Sequence, residues 1–328
     1  MTRLDRVFDQ IDLAAPATFA NLTMIPLVAR TAKEPHYVTL DAALATGRFR
    51  VTEVSDAGHV PELFVSNDLD TAVLLLDGEE LVGAKQNRVV NLTILVPAKT
   101  SLSIPVSCVE AGRWHHVTAE FRGSSRAQFL EGRAQKLAQV TRSLAATARA
   151  ASDQGDVWDR INRRSAQLGV HSPTAAMHDV YEQHKHSVDE FVRALSPVDG
   201  QVGAALAIGG RLAGVEFFDS ARTLRALLPK IVSSYALDAV AALATSTPSP
   251  VDGAQITAWV RAIAEREPRV HKAVGVGEAL RWESPGVTAA ALAVDDEFVH
   301  FVAFPLDVDA ETGPSGPRMR SASSRRRQ

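Results

Sequence analysis

Five polar side chains occur within seven positions, between two apolar runs of the kind found in β-strands. Lys85, Gln86, Asn87 and Arg88 are consecutive, and Asn91 follows after two valines. A strand that only covers a core alternates polar and apolar side chains, so this run indicates a segment that hydrogen-bonds a ligand or neighbouring backbone. The cations suit a phosphate or carboxylate, and the amides suit amide or hydroxyl groups. A structural network that bridges two sheets explains the same composition equally well.

A second polar block follows, in which a strand carries Cys108 and Glu110 and a glycine precedes Arg113 and Trp114. The spacing of two places the Cys108 and Glu110 side chains on one face of the strand. One interpretation makes Cys108 a nucleophile near one of the two following histidines, with Arg113 binding an anion and Trp114 stacking on a ring. The other makes Cys108 a small buried apolar side chain, and pairs Glu110 with Arg113 or Arg88.

A further carboxylate lies in the second half of the chain. Glu216 stands between two apolar residues, so strand alternation places it on the opposite face from both. The approximate similarity of LLLDGEELVG and ALAIGGRLAG gives Glu216 and Lys85 comparable places, which predicts that they face one cleft. Glu216 is therefore a third candidate catalytic residue, beside Cys108 and Glu110. Asp219 is predicted to cap the next helix.

The histidine-rich segment AAMHDVYEQHKHSVDEF is a candidate metal site by its residue types. His178, Glu182 and His186 are spaced by four, which could align three ligands on one helix face. The apolar stripe of the same helix places these side chains toward solvent, so no metal site is expected. The sequence lacks the Rossmann and P-loop fingerprints, GxSxG and HExxH, and it indicates no particular cofactor.

The elements that must position these residues begin with a β-rich region. From residue 18 to 117, short apolar runs alternate with Gly, Pro, Asn and Asp, which is typical of antiparallel strands, and one short helix is expected at 40–45. Three two-residue turns predict three β-hairpins, at Asp77–Gly78, Gly209–Gly210 and Asp295–Asp296. They are either ordinary hairpins or traces of an internal duplication.

After Gly123 the apolar period changes from two to 3.6, which predicts a long helix capped by Ser124 or Ser125 and then further helices. Strands return at 201–218 and 270–304, on either side of two helices. The predicted fold class is α+β, with a mostly antiparallel β-rich N-terminal half, a helical middle and a mixed α/β C-terminal half with hairpins.

Length and composition predict two lobes and a tail. The chain has 328 residues and a formal net charge of -3, so nucleic acid is unsupported as a partner. The expected division is a β-rich lobe at 1–122, a helical and mixed lobe packed on it at 123–304, and a disordered basic tail at 305–328. Cys108 is the single cysteine, which excludes an intramolecular disulfide. With no signal peptide or membrane span evident, a cytoplasmic location without membrane contact is expected.

The run VLLLDGEELVGAKQNRVVNLTILVPA, followed by IPVSCVEAGRW and IGGRLAGVEFFDSARTLRALLPKIVSSYALDA, resembles a bacterial family. It is the ARG and rhodanese-phosphatase-superfamily-associated protein domain family, and the resemblance extends from about Asn21 to Pro305. It implies work alongside ADP-ribose, NAD or phosphate metabolism, and assigns no catalytic role to any residue. The family's recurrent polar positions correspond here to Glu80, Lys85, Gln86, Asn87, Arg88, Asn91, Cys108, Glu110, Arg113, Trp114 and Asp219.

Three functional hypotheses remain open at the level of sequence. The first is a binding protein or an enzyme that binds a phosphate-bearing nucleotide-like molecule through Glu80, Asn91, Trp114 and the two polar blocks. The second is a noncatalytic interaction or scaffold module with a protein partner. The third is a thiol-dependent enzyme that uses Cys108.

Overall fold

The computed structural model describes residues 2–55 and 60–306, which adopt the predicted α+β fold. In chain order the elements are α1 (Arg3–Phe8), β1 (Ile11–Leu13), β2 (Ala17–Phe19), β3 (Leu22–Ala29), β4 (Tyr37–Thr39), α2 (Leu40–Leu44), β5 (Phe49–Glu53), β6 (Glu62–Asn67), β7 (Ala72–Leu75), β8 (Glu79–Gly83), β9 (Arg88–Val90), β10 (Ile94–Val96), β11 (Thr100–Cys108), β12 (Phe121–Ala127), α3 (Leu130–Thr147), α4 (Gln154–Gln167), α5 (Met177–Gln183), α6 (Lys185–Ala194), β13 (Gln201–Ile208), β14 (Arg211–Phe218), α7 (Ala221–Ala242), α8 (Gly253–Ala264), β15 (Arg269–Lys272), β16 (Glu278–Ser284), β17 (Val287–Val294) and β18 (Glu297–Pro305).

Nine strands form one large antiparallel sheet. Its order is β1-β3-β13-β14-β18-β17-β16-β15, and β2 also pairs with β3. Strand β13 pairs with β3 through partners such as Ala205 and Ile25, so the sheet combines strands from both ends of the chain. The division into lobes at residue 122 stays a prediction, although this pairing joins residues from both sides of that boundary.

Helices cover both faces of the large sheet. On β17, Ala290 and Leu292 belong to a buried cluster that includes residues of α3 and α7. The intervening Ala289 and Ala291 belong to a second cluster with residues of α1 and α8. This alternation follows from the period of two along a strand, and each large aliphatic side chain buried in this way contributes about 1.5–3 kcal/mol.

Two smaller sheets share a third buried cluster. The six-stranded sheet has the order β12-β8-β9-β11-β6-β5, and the three-stranded sheet has the order β10-β7-β4. Phe49 and Leu63 of the former pack in one cluster with Val73 and Ile94 of the latter. The two polar blocks of the sequence lie in and beside the six-stranded sheet.

Of the three predicted hairpins, two are confirmed. The turns between β13 and β14 and between β17 and β18 join paired strands, and positive φ angles at Gly209, Gly210, Asp295 and Asp296 allow these tight reversals. The first hairpin is wrong, because β7 pairs with β4 and β10 whereas β8 pairs with β9 and β12. Gly78 has a positive φ of 80°, but its turn carries the chain from one sheet to another.

Two predicted helix caps are also wrong. Ser124 and Ser125 lie in strand β12, and α3 begins at Leu130 without a side-chain cap. Ser220, not Asp219, caps α7, because its hydroxyl accepts a hydrogen bond from the backbone N–H of the second residue of that helix.

The described part of the chain begins with a short helix and ends just after β18. The short helix α1 was not predicted from the sequence, and a capping box at Thr2 and Asp5 begins it. Pro305 ends β18, and the basic tail predicted from there falls outside the described residues from position 307 onward. No helix within the described ranges is long and apolar enough to cross a membrane.

A buried ionic cluster joins α3 to two sheets. Both terminal guanidinium nitrogens of Arg133 donate to the Glu216 carboxylate on β14, at 3.1 and 2.9 Å. The Lys136 ammonium donates to Asp77 at 2.6 Å and to the backbone carbonyl at the end of β9. His300 Nε2 lies 3.0 Å from Glu216, and all five side chains are buried. Burial raises the pKa of Glu216, but Arg133 and His300 outweigh it and hold that pKa at about 2.

We predict that Glu216→Gln lowers the free energy of unfolding at pH 7 by about 3–5 kcal/mol, because it leaves Arg133 buried without its main anionic partner. Ionised Glu216 stabilises the fold fully above its ordinary pKa of 4.5, and this contribution is lost as pH falls to about 2. The wild-type stability should therefore fall by on the order of 3 kcal/mol through that window. Urea unfolding at several pH values measures both effects.

The exposed residue Glu190 of α6 supplies a matched control, Glu190→Gln. The two variants could have equal free energies of unfolding at pH 7 and the same change of that free energy with pH in the acid range. That result would show that the ionic cluster does not carry this stabilisation.

Candidate functional site

The two polar blocks of the sequence meet in the six-stranded sheet. Arg88 of β9 is the direct partner of Cys108 in the antiparallel pair of β9 with β11. Directly opposed residues of such a pair project to the same face, so these two side chains are neighbours. Gln86 completes the contact, because its Oε1 accepts hydrogen bonds from Arg88 Nη1 at 3.1 Å and from Cys108 Sγ at 3.0 Å.

Beside this contact, Asn87, Glu110, Arg113 and Thr174 form a closed network that we call the Arg113 brace. Arg113 donates to both oxygens of Glu110, at 2.9 and 2.6 Å, and to Asn87 Oδ1 at 3.1 Å. Its remaining donors reach backbone carbonyls on the turn that follows β8 and in its own loop. Glu110 also accepts from the backbone N–H of Asn87 and from the Thr174 hydroxyl.

The Arg113 brace uses all of the Arg113 nitrogen donors within the protein. Burial raises the pKa of Glu110, but the hydrogen bonds from Arg113 and from the Asn87 backbone outweigh it, so the pKa lies below its ordinary value. Glu110 is thus held as a paired carboxylate. These contacts favour the structural interpretation for Asn87, Glu110 and Arg113.

Arg88, unlike Arg113, does not use all of its nitrogen donors within the described residues. It is 0% exposed, yet its Nε and Nη2 have no hydrogen-bond partner among the described residues. Burial lowers the pKa of Arg88, and the neighbouring Cys108 and Glu53 oppose that effect only in part. Buried polar groups are normally hydrogen-bonded, and an unsatisfied one costs about 1–3 kcal/mol. Arg88 is therefore a local exception that calls for a function.

Two tryptophans lie close to this contact. Trp114 is 47% exposed, and its ring centroid is 5.8 Å from Arg88 Cζ and 5.4 Å from Lys85 Nζ. Trp158 of α4 has a buried Nε1 without a hydrogen-bond partner in the described part of the chain, and it lies near enough to Cys108 to lower the thiol pKa. We call Gln86, Arg88, Cys108, Trp114 and Trp158 the Arg88 site.

Cys108 is an unreactive thiol in this setting. It is a buried free cysteine, and burial raises its pKa more than Arg88 and the surrounding hydrogen-bond donors lower it. Because the thiolate is the nucleophilic form, the raised pKa disfavours the thiol-dependent enzyme.

The remaining predicted site residues lie elsewhere. Glu80 is opposite Val89 in the sheet, so it projects to the other face from Arg88, and it lies 3.5 Å from His178 Nδ1. Asn91 donates to the backbone carbonyl of Ala150 and accepts from the Ser107 hydroxyl.

The shared cleft predicted for Glu216 and Lys85 is wrong. Glu216 belongs to the large sheet, where Arg133 occupies both of its oxygens within the ionic cluster. Lys85 lies beyond the end of β8 in the six-stranded sheet and contacts Trp114. Glu216 is therefore a structural carboxylate and not part of the Arg88 site.

Several residues that are important in the structure were not predicted from the sequence. Arg133 and Lys136 are buried cations, and a signal for them existed, since both fall between the apolar stripe residues Leu130 and Leu137 of α3. Trp158 and His300 gave no comparable signal, because their partners lie far away in the sequence.

The histidine-rich segment is divided between two helices. His178 and Glu182 lie on α5, 3.8 Å apart, whereas His186 lies on α6 beside Glu190. Over residues 2–55 and 60–306, no group of three or more His, Cys, Asp or Glu side chains is placed to hold a metal ion.

Comparison with known families gives one match that covers most of the chain. The ARG and Rhodanese-Phosphatase-superfamily-associated Protein domain matches residues 10–304. The chain therefore belongs to that family, in agreement with the resemblance of its polar blocks. No curated protein and no solved structure matches the chain.

We predict that Arg113→Met lowers the free energy of unfolding by about 3–5 kcal/mol, because Glu110 is left as a buried charge without a cation. Arg88→Met should leave that free energy unchanged or raise it by about 1–3 kcal/mol, because it removes two unsatisfied donors. Urea unfolding of both variants measures the contrast. A large loss of stability in Arg88→Met would instead assign Arg88 to the structural network.

Cys108 should react slowly with iodoacetamide at neutral pH in the native protein, compared with the same protein unfolded in urea. The raised pKa makes the thiolate scarce, and burial restricts access. Arg88→Met should slow the native reaction further, since Arg88 lowers the thiol pKa. Native alkylation at the rate of the unfolded chain would restore the thiol-dependent hypothesis.

Proposed function

We propose that this member of the family binds a phosphate-bearing, nucleotide-like molecule at the Arg88 site, in a role related to ADP-ribose or NAD metabolism. The observation that carries the proposal is the Arg88 guanidinium, which is fully buried with two donors unpartnered in the described residues. Among the described residues, the structural Arg133 also has one buried nitrogen without a partner, but Arg88 has two, whereas Arg113 uses all of its donors.

The free donors of Arg88 suit an oxyanion. Nε and Nη2 lie along one edge of the planar guanidinium, which can donate two parallel hydrogen bonds to two oxygens of a phosphate or carboxylate. The buried indole N–H of Trp158, whose contact with the Cys108 sulfur lowers the thiol pKa but does not meet hydrogen-bond geometry, supplies a third donor. Such charge-assisted hydrogen bonds are about twice as strong as neutral ones.

The local charge also favours an anion. Glu110 and Arg113 neutralise each other within the Arg113 brace. The positive charge of Arg88 is then opposed by the Glu53 carboxylate only in part, because burial still lowers the Arg88 pKa. A monoanionic or dianionic group bound at Arg88 would compensate for that charge and reduce the cost of burying it.

Trp114 controls access to Arg88. Its side chain is half exposed, whereas Arg88 has no exposed surface, so an incoming anion must displace the indole. The displaced ring could then stack on a base or on another flat part of the ligand, since aromatic faces bind nucleobases without sequence preference. Ligand binding should therefore change the environment of Trp114.

A noncatalytic interaction module is the second candidate. The closed Arg113 brace favours it, because that half of the polar block is fully used in holding the loop after β11. The exposed side chains of Trp114 and Val117 would then contact a protein partner. This alternative explains the Arg113 brace but not the unsatisfied donors of Arg88.

Thermal-shift measurements with ADP-ribose, NAD and inorganic phosphate test the proposal. A ligand at about 100 times its Kd stabilises the fold by about 2.7 kcal/mol, which raises Tm by roughly 4 °C for a chain of this length. We expect this shift for at least one of the three ligands in the wild type, and its loss in Arg88→Met. Arg122→Met, a change at an exposed position of β12, is the matched control and should keep the shift.

Intrinsic fluorescence gives a second readout, because the bound ligand should alter the signal more in the wild type than in Trp114→Phe, in which Trp158 is the remaining tryptophan of the Arg88 site. Absence of any shift, or an equal shift in wild type and Arg88→Met, would reject the Arg88 site. Co-purification of a protein partner together with that result would support the interaction module.

A further inference from the structure

A cavity of about 570 Å³ lies between α1, the end of β14 and the turn that joins β17 to β18. These strands belong to the large sheet, whereas the Arg88 site lies in and beside the six-stranded sheet. Its volume falls within the range of small-molecule sites in proteins, roughly 300–1,000 Å³. Apolar side chains form much of its wall, including Phe218, Phe298 and Ile11. The carboxylate of Asp219 is the polar group at the end of β14.

Asp219 is held in place on one oxygen only. The Tyr37 hydroxyl donates to Asp219 Oδ1 at 2.5 Å, and the Thr223 hydroxyl in turn donates to the Tyr37 oxygen at 3.0 Å. Both donors come from outside the cavity wall, so they orient the carboxylate without filling the space. Apart from the backbone N–H of Asp219 itself, which also acts on the carboxylate, no hydrogen bond or salt bridge from another described residue reaches the second oxygen, Oδ2.

Two of the three cations that line the cavity are already paired. Lys33 binds Glu297 at 2.8 Å, and Arg3 pairs with Asp296 across the mouth, while Arg6 is exposed at the rim. Asp219 is thus a partly buried carboxylate beside apolar side chains, with no cation in salt-bridge contact in the described structure, although Lys33 is near enough to lower its pKa. Burial raises the pKa of Asp219 to about 6, so the Asp219 carboxyl group is ionised in most protein molecules at pH 7.5.

We propose that this cavity, which we call the Asp219 cavity, binds a small organic amine. The ammonium group would donate to Asp219 Oδ2, and the apolar or aromatic body would lie against Phe218 and Phe298. An ion pair formed inside an apolar cavity compensates for the buried carboxylate, whereas a neutral ligand compensates for it only in part and an anion is repelled. The Asp219 cavity would bind a cation, whereas the Arg88 site would bind an anion, and the two proposals are independent.

The test uses benzylamine, benzyl alcohol and benzoate, which share a ring and differ in charge, with the full-length protein at pH 7.5. Isothermal titration calorimetry should give the lowest Kd for benzylamine, a Kd at least about tenfold higher for benzyl alcohol, and no binding of benzoate. This comparison needs only the wild type, so it stands even if a variant fails to fold. Equal affinity for the three probes, or no binding of benzylamine, would overturn the proposal.

Variants then assign the binding to Asp219. Asp219→Asn can still accept from Tyr37 but carries no charge, and it should raise the Kd for benzylamine by at least about tenfold. Asp159→Asn, at an exposed position of α4 that does not line the cavity, is the matched control and should leave the Kd unchanged within about twofold. An unchanged Kd in Asp219→Asn would contradict the assignment. Arg88→Met should bind benzylamine normally, which separates this result from the outcome at the Arg88 site.

Discussion

The ionic cluster of α3 is the contact on which the arrangement of the sheets depends. Arg133 fixes the helix to Glu216 in the large sheet, and Lys136 fixes it to Asp77, which lies in the turn that precedes β8. Because these charges are out of water, each one requires its partner, and loss of one partner costs several kcal/mol. The cluster therefore holds the six-stranded sheet, with its polar blocks, in a set position against the large sheet.

The polar blocks divide into a part whose hydrogen-bonding groups all have partners and a part in which some donors have none. Arg113 donates from every nitrogen to acceptors in the protein, and Glu110 accepts from three neighbouring groups. Arg88 is buried next to them with two donors unused in the described structure. A rigid, fully bonded support next to an uncompensated cation is the arrangement that a preorganised anion site requires, since the support fixes the backbone on either side of Arg88.

Sequence patterns predicted the local structure better than the long-range structure. Alternation and helical periodicity identified the α+β class and the two hairpins of the large sheet, because those features depend on neighbours in the chain. The turn at Gly78 looks the same whether the flanking strands pair or separate, so the false first hairpin could not be recognised. The contact of Arg88 with Cys108 depends on the register of two strands, which the sequence does not reveal. The burial of Arg133 could have been inferred from its place in an apolar stripe.

A crystal structure of the protein grown with ADP-ribose or inorganic phosphate tests the central claim, anion binding by Arg88, most directly. The account predicts phosphate oxygens at about 2.7–2.9 Å from both Arg88 Nε and Nη2, with the Trp114 ring displaced from its position above Arg88. Saturating ligand with Trp114 unmoved, and with only water or protein oxygens at the two Arg88 nitrogens, would contradict it.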